Sequence, residues 1–412
     1  MSVNSFSRTG SANTYDNAQR NLMTRQGNLA SAQENLTSGK RVVRASDDPT
    51  SAAQAERALN RIGRIATDQR ALEAQRTSIV QAESALGDVT EALQRFRELL
   101  VSAGNGSFGD SERKMVAVEL TGLRDQVLAL SNRTDTNGQP LFGALGSAVK
   151  PFVGPNVGTP DYTFNGLPGQ SRSSEVGIAF SLDGDSAFML QGARDAAYNV
   201  TVTPGTSPLR SEGITVTNPA LINNNTYTIS NIVVTPDPSP ATTSTATYDL
   251  SAPPAAATSI AVPSYATGAM PVTGIPGLSL TITGTPGAGE SITVKPSPSI
   301  FSVMDEAIRD IGGATSSGGA SQAISQGLKN LDIGMNRISA VRGQAGELLN
   351  RADRISDNQG KRSIQMEVER SRAEDLEMIK GISDFQNQQT GYQAALQSYA
   401  QIQKLSLFNY IG

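Results

Sequence analysis

Proline is confined to the middle of this chain: eighteen of its twenty prolines lie between Pro151 and Pro298. A proline inside a helix removes a backbone donor and sets its ring against the preceding turn. Long helices are therefore excluded from the middle and allowed at both ends, where residues 50–139 and 299–412 contain no proline. The fold class this implies is mainly α with an inserted β domain. Both chain ends would build an elongated, coiled-coil-like helical stem, and the middle a β-rich outer domain.

The ends carry apolar residues at sevens. Tyr15, Leu22, Leu29 and Leu36 form a narrow stripe on an otherwise polar segment. A lone helix cannot bury such a stripe, so it needs a partner. A longer series follows, with Ile65, Leu72, Ile79, Leu86, Leu93 and Leu100 in unbroken register and Ala82, Val89 and Phe96 between them. Strict sevens over this many turns predict coiled-coil-like packing. A continuous helix from Pro49 to Ser102 would be about 80 Å long. Near the other end Ile324, Leu328, Leu331, Met335, Ile338, Ala345, Leu349 and Ala352 make a matching stripe. Leu376, Ile379, Ile382, Phe385, Tyr392, Tyr399 and Ile402 continue it towards Leu405–Ile411. Each such residue contributes about 1.5–3 kcal/mol when fully buried, so the two long stripes should pair. The outermost helices, residues 14–37 and 374–404, are left with only each other.

Breaks in the pattern locate the connectors. After Ser38 and Gly39 come Lys40, Arg41 and Arg44, then Ser46, Asp47, Asp48 and Pro49. Asp followed by Pro is the preferred chemistry for capping and opening a helix. The alternative, a metal-binding carboxylate pair, lacks further ligands. Asn105, Gly106 and Gly109 end the long rod, and Asp110 is placed to cap a third helix carrying Val116, Leu120, Leu123, Val127 and Leu130. Asn137-Gly138 predicts a hairpin turn; the calcium-loop reading of Asp135, Asn137 and Gly138 fails for want of the later glutamate.

Residues 151–300 hold thirteen charged side chains and are rich in Thr, Ser, Gly and Val. Strands are predicted over 196–202, 225–234, 278–283 and 291–295. The Ala/Pro/Thr/Ser-rich residues 236–271 read either as part of that β domain or as a poorly ordered surface insertion. Gly284–Gly289 has neither the spacing nor the lysine of a phosphate loop and reads as a hairpin connection. Beyond the middle, Phe301, Met304, Ile308 and Ile311 predict a helix closed by Gly312-Gly313, followed by a flexible Gly/Ser segment to Ser321.

Composition excludes most chemistry. The chain has no histidine and no cysteine, which removes the commonest general base, the imidazole and thiolate metal ligands, and every Ser-His-Asp or Cys-His arrangement. Carboxylates sit mostly on predicted helix exteriors, where solvation explains them. The chain reads as no enzyme: no catalytic residue, cofactor or metal site is expected. A net charge of −4 offers no concentrated basic face for nucleic acid or an anionic membrane. No apolar run is long enough to span a bilayer, and the first residues lack the apolar core of a cleavable signal.

Ser38–Arg41, Ser46–Pro49 and Ala52-Ala53 resemble the N-terminal pattern of the flagellin superfamily, and Val341-Arg342 to Asn350-Arg351 resembles its C-terminal rod. Asn132–Gly143, the stretch from Leu280 to Val294, and Ser406–Tyr410 are similar to the branch of that family found between hook and filament. The likeness covers roughly residues 14–145 and 277–412 and leaves the middle unmatched.

The resemblance implies a structural component of the bacterial flagellum, a junction protein joining hook to filament by polymerisation of its terminal helices. It implies export through the flagellar type III apparatus with a cytoplasmic chaperone, and an extracellular location without a cleaved signal. Its implied partners are further copies of itself in a ring, a neighbouring hook-associated protein and flagellin. Five segments are expected: an assembly helix over 1–44, the N-terminal stem over 45–150, the outer domain over 151–300, the C-terminal stem over 301–373 and a second assembly helix over 374–412. Assembly and packing are expected to rest on Leu22, Leu29, Leu36, Leu72, Ile79, Leu86, Leu93, Leu331, Ile338, Leu349, Leu396, Tyr399, Ile402, Leu407 and Phe408. Two alternatives stay open, the filament subunit itself and a secreted coiled-coil adhesin or translocator.

Overall fold

The computed structural model describes residues 11–157, 161–203, 209–238, 242–314 and 317–411. Three helices come first: α1 (Ser11–Ser38), α2 (Pro49–Ala103) and α3 (Asp110–Ser131). A short hairpin of β1 (Phe152–Val153) and β2 (Thr163–Phe164) precedes two small helices, α4 (Gly184–Phe188) and α5 (Gly192–Asp195). Eight strands follow: β3 (Tyr198–Thr203), β4 (Arg210–Val216), β5 (Tyr227–Pro236), β6 (Thr243–Ser251), β7 (Thr258–Ala266), β8 (Ala269–Val272), β9 (Leu278–Thr283) and β10 (Ser291–Pro296). The chain then returns to helix in α6 (Ile300–Gly312), α7 (Ser317–Glu374) and α8 (Met378–Ile411). Long terminal helices around a β-sheet middle are the architecture that the proline distribution dictates.

Two compact units result, one of residues 1–70 with 356–412 and one of residues 71–355. The division falls within α2 and α7. In the larger unit α2 and α7 run antiparallel. Arg76 Nε meets Asp353 Oδ1 at 3.3 Å, Arg342 Nε meets Glu83 Oε1 at 2.7 Å, and Arg97 Nε meets Asp332 Oδ1 at 3.1 Å, so rising numbers on one helix face falling numbers on the other. These exposed pairs contribute little energy. What holds the helices is the seam between them: Leu72, Ile79, Leu86, Leu93 and Leu100 are buried in one cluster with Leu331, Ile338, Ala345 and Ala352. α3 adds Leu120 and Val127 to that cluster, and α6 adds Ile300, Phe301, Met304 and Ile311.

An aromatic group closes the same core. Phe301 packs against Phe152 at 5.6 Å, Tyr162 at 5.2 Å and Phe188 at 5.8 Å between ring centroids. Beside it lies a polar triad of the buried Arg124 and Tyr162 with the half-buried Asp305, in which Arg124 Nη1 donates to Asp305 Oδ1 at 2.6 Å and Tyr162 Oη donates to Asp305 Oδ2 at 2.6 Å. Burial pushes the Tyr162 hydroxyl up, reinforced by its bond to Asp305. The Asp305 carboxyl is raised as well, because loss of water outweighs Tyr162 and Arg124. The Asn132–Gly143 motif frames this region. Asn132 bonds both backbone polar groups of Phe152, donating to its carbonyl and accepting from its N–H, each at 2.9 Å. Asp135 Oδ1 accepts from the N–H groups of Asn137 and Gln139 at 2.8 Å, and Gly138 takes a left-handed φ of 77°.

The middle forms two antiparallel sheets, one in the order β3-β10-β5-β6-β7 and one in the order β4-β9-β8. Between them lies a separate core that includes Tyr227, Ile229, Tyr248, Leu280, Ile282, Ile292 and Val294. α7 covers two sheet edges that would otherwise show free carbonyls. Asn330 Nδ2 donates to Tyr198 O on β3 at 2.9 Å, and Lys329 Nζ donates to Ile214 O on β4 at 2.6 Å.

Four local expectations need correction. Residues 236–271 are not a loose insertion but carry β6, β7 and β8, whose inward positions include Ala246, Tyr248, Leu250 and Val262. Gly284–Gly289 is not a hairpin: it joins β9 to β10, which belong to different sheets. Asp110 opens α3 as its first residue rather than capping it; the cap position is Gly109, whose N–H donates to Glu112 Oε2 at 2.9 Å. The Gly/Ser segment is shorter than read, since α7 is already helical from Ser317.

Candidate assembly surface

The smaller unit is organised by the connectors at its middle. Asp48 caps α2: its Oδ1 accepts from the N–H of Thr50 at 3.2 Å and of Ser51 at 3.1 Å. The Ser51 hydroxyl donates to Asp48 Oδ2 at 2.6 Å and, with the Thr50 hydroxyl, holds the Asp48 carboxyl well below the usual range. Asp47 does different work, accepting from the N–H groups of Val43 at 3.2 Å and Arg44 at 2.8 Å. Ser46 is exposed, and its hydroxyl lies 3.5 Å from Asp47 Oδ1. Pro49 takes the first helical position, where its missing donor costs nothing. The Ser46–Pro49 motif therefore builds a turn and a cap. No group of three His, Cys, Asp or Glu residues suited to a metal occurs among the described residues.

The second connector, between α7 and α8, is tied to the first. Arg41 N donates to Glu374 O at 2.7 Å and Leu376 N donates to Gly39 O at 2.8 Å, closing an antiparallel bridge between Lys40 and Asp375. Lys40 forms an ion pair with Glu374. Gly39 adopts a φ of 70°, which lets the chain turn out of α1. The Arg41 guanidinium spans both connectors, reaching Ala373 O at 2.9 Å, Ser51 Oγ at 3.1 Å and Asp48 Oδ2 at 3.2 Å.

Beyond this clasp α1 and α8 lie antiparallel. Leu36 comes against Gly381, Arg25 against Gly391 and Tyr15 against Tyr399, whose hydroxyls are 2.6 Å apart. The pairing leaves both helices incompletely covered. Leu22, Leu29, Leu36 and Tyr399 are half-buried, and no described side chain of α1 is fully buried. Met23, Met378, Ile379, Ile382 and Leu396 are exposed, Ile379 to 84%. The side chains of Ile402, Leu407 and Phe408 lie outside the described residues.

The remaining proposed packing residues sit elsewhere. Leu72, Ile79, Leu86, Leu93, Leu331 and Ile338 are buried in the core of the larger unit, and Leu349 packs half-buried against it. Sequence periodicity thus grouped two kinds of position, core and surface, under one pattern. It did not find the triad of Arg124, Tyr162 and Asp305, because no spacing rule joins residues 124, 162 and 305.

The family model of the bacterial flagellin N-terminal helical region matches residues 11–146, which covers α1, α2, α3 and the turn after them. In class, the chain is flagellin-like. In particular it is similar to flagellar hook-associated protein 3 of Escherichia coli, with 36% identity over 143 residues, 34% of this chain and 44% of that protein. The flagellar filament core protein flaB2 of Brachyspira hyodysenteriae is 33% identical over 142 residues, again 34% of this chain and 48% of its own length. The chain thus spans less than half the length of these curated relatives. The crystal structure of the flagellar junction protein FlgL from Legionella pneumophila aligns over 73% of this chain and 99% of its own, with 25% identity and a TM-score of 0.57. The resemblance drawn from the sequence, to flagellar hook-associated protein 3 within the flagellin superfamily, therefore holds. No helix among the described residues is long and apolar enough to cross a membrane.

Proposed function

We propose that this chain is a structural protein of the bacterial flagellum that joins hook to filament, with polymerisation carried by its terminal helices. The observation that carries the reading is the α1–α8 pair. Two helices with apolar stripes at sevens keep Ile379, Ile382, Met378, Leu396 and Met23 exposed, on a chain similar to a flagellar junction protein. Leaving that surface wet forgoes the roughly 25 cal/mol per Å² that burial supplies, which neighbouring copies recover. On this reading copies form a ring, with a hook-associated protein on one side and flagellin on the other. The chain reaches the extracellular flagellum through the type III apparatus, escorted by a cytoplasmic chaperone. The role is mechanical and needs no cofactor.

The filament-subunit reading is favoured by the likeness to the filament core protein, and location separates the two. Deleting the gene should leave hooks intact while flagellin is shed into the medium, and the wild-type chain should restore filaments. A filament retained in the deletion strain would overturn the junction role, and loss of the filament protein itself would favour the subunit.

A further inference from the structure

The smaller unit carries a cleft lined by three arginines and one glutamate. It lies between the first turns of α2 and the last turns of α7, encloses about 410 Å³, and is walled by Arg57 and Arg61 on one side and Arg372 with Glu369 on the other. Ser51, Gln54, Ala58 and Ala373 complete it. Arg76, Arg97 and Arg342 are ion-paired across helices, with Asp353, Asp332 and Glu83. Arg57, Arg61 and Arg372 have no ion pair among the described residues, and Arg61 Nη1 lies 3.9 Å from Met366 Sδ. Arg57, Arg61 and the nearby exposed Arg64 follow at i, i+4 and i+7, which places them on one face of α2.

The rest of the chain supplies the opposite charge. The formal net charge is −4, so without these three arginines the remainder carries −4 − 3 = −7. A groove between two antiparallel helices, with guanidinium groups on both walls, fits a helix face bearing carboxylates, which arginine binds in a bidentate manner. We propose that this cleft receives a carboxylate-bearing helix face of a second copy of the chain, and that this ionic contact sets the register between copies. The proposal rests on the assembly reading above. It adds a charged, orienting element to an apolar surface that by itself is indifferent to register.

The test is self-association of the full chain, followed by sedimentation at rising protein concentration and at NaCl from about 50 mM to about 500 mM, a range that shortens the screening length severalfold. Arg57→Glu with Arg61→Glu should weaken association at least tenfold and remove most of its salt dependence, and Arg372→Glu on the other wall should act alike. If the double variant melts earlier than wild type, Arg57→Gln with Arg61→Gln replaces it, with a smaller loss in the same direction. Wild-type association that the substitutions leave unchanged would overturn the cleft while sparing the assembly reading. A wild-type chain that stays monomeric at every concentration would overturn both.

Discussion

The two units use the same sequence grammar to different ends. In residues 71–355, heptad leucines and isoleucines of α2 meet α7, and α3 and α6 close the sides, so Ile79, Leu86, Leu93, Leu331 and Ile338 are fully buried. In residues 1–70 and 356–412 the hydrophobic side chains buried among those described are Val42, Ala55, Ala58, Ile65 and Ala373, three of them alanines, and none is as fully buried as those. Sevens announce that a face needs a partner; they do not say how many partners the chain itself provides. Where it provides three the result is a core, and where it provides one the result is a surface.

The sharpest way to break this contrast is one charge placed in each stripe. Leu86→Asp buries an unpaired carboxylate and should cost more than about 4 kcal/mol, abolishing cooperative melting of the larger unit. Leu22→Asp should leave that melt within about 0.5 kcal/mol while impairing assembly. Equal effects on the monomer melt would erase the distinction. Next in size, Asp305→Ala takes from the buried Arg124 its partner at 2.6 Å, leaving the exposed Asp125, and should lower stability by about 3 kcal/mol in urea titration, with Asp305→Asn milder because it still accepts a hydrogen bond.

A smaller and pH-dependent effect belongs to Glu306, also in the larger unit. Burial pushes its carboxyl up to about 7, against the pull of Ser297, Arg309 and Lys295. Its Oε2 accepts from Ser297 Oγ at 2.5 Å, while Oε1 has no partner. Between its ordinary value of 4.5 and about 7 the folded chain holds a proton that the unfolded chain has released. Stability is therefore greatest below that window and falls as pH rises through it, by on the order of 2 kcal/mol. Glu306→Gln should flatten the profile, and an unchanged slope would refute the assignment.

The smallest effect is expected at the connector of the other unit. Asp48→Ala removes the cap of α2 and should speed amide exchange in its first turn without moving the main melt. Because the folded carboxyl lies below its ordinary value, the wild-type contribution is present at neutral pH and lost on acidification.

How much of this was legible follows from what kind of signal each part leaves. The long helices were, to within a residue or two for α2, because apolar spacing and the Asp48-Pro49 cap act through local chemistry. The strands β5, β9 and β10 were, through β-branched runs. β6 and β7 were obscured because their inward positions include Ser244 and Ala246, too small to stand out, and Pro263 interrupts the pattern at an edge strand that tolerates it. The connector clasp could not be read, since Lys40–Glu374 and Arg41–Ala373 join residues more than three hundred positions apart. Nor could the exposure of Ile379 and Ile382, which in spacing match the buried stripe.

The most direct test of the central claim is amide hydrogen exchange on the full-length free chain, compared with the same chain in assembled flagella. α1 and α8 should exchange orders of magnitude faster than the buried stretch from Leu72 to Leu100 when free, and should slow towards it on assembly. Free-chain protection in α1 and α8 equal to that of Leu72–Leu100 would contradict the account, for the ends would then need no partner.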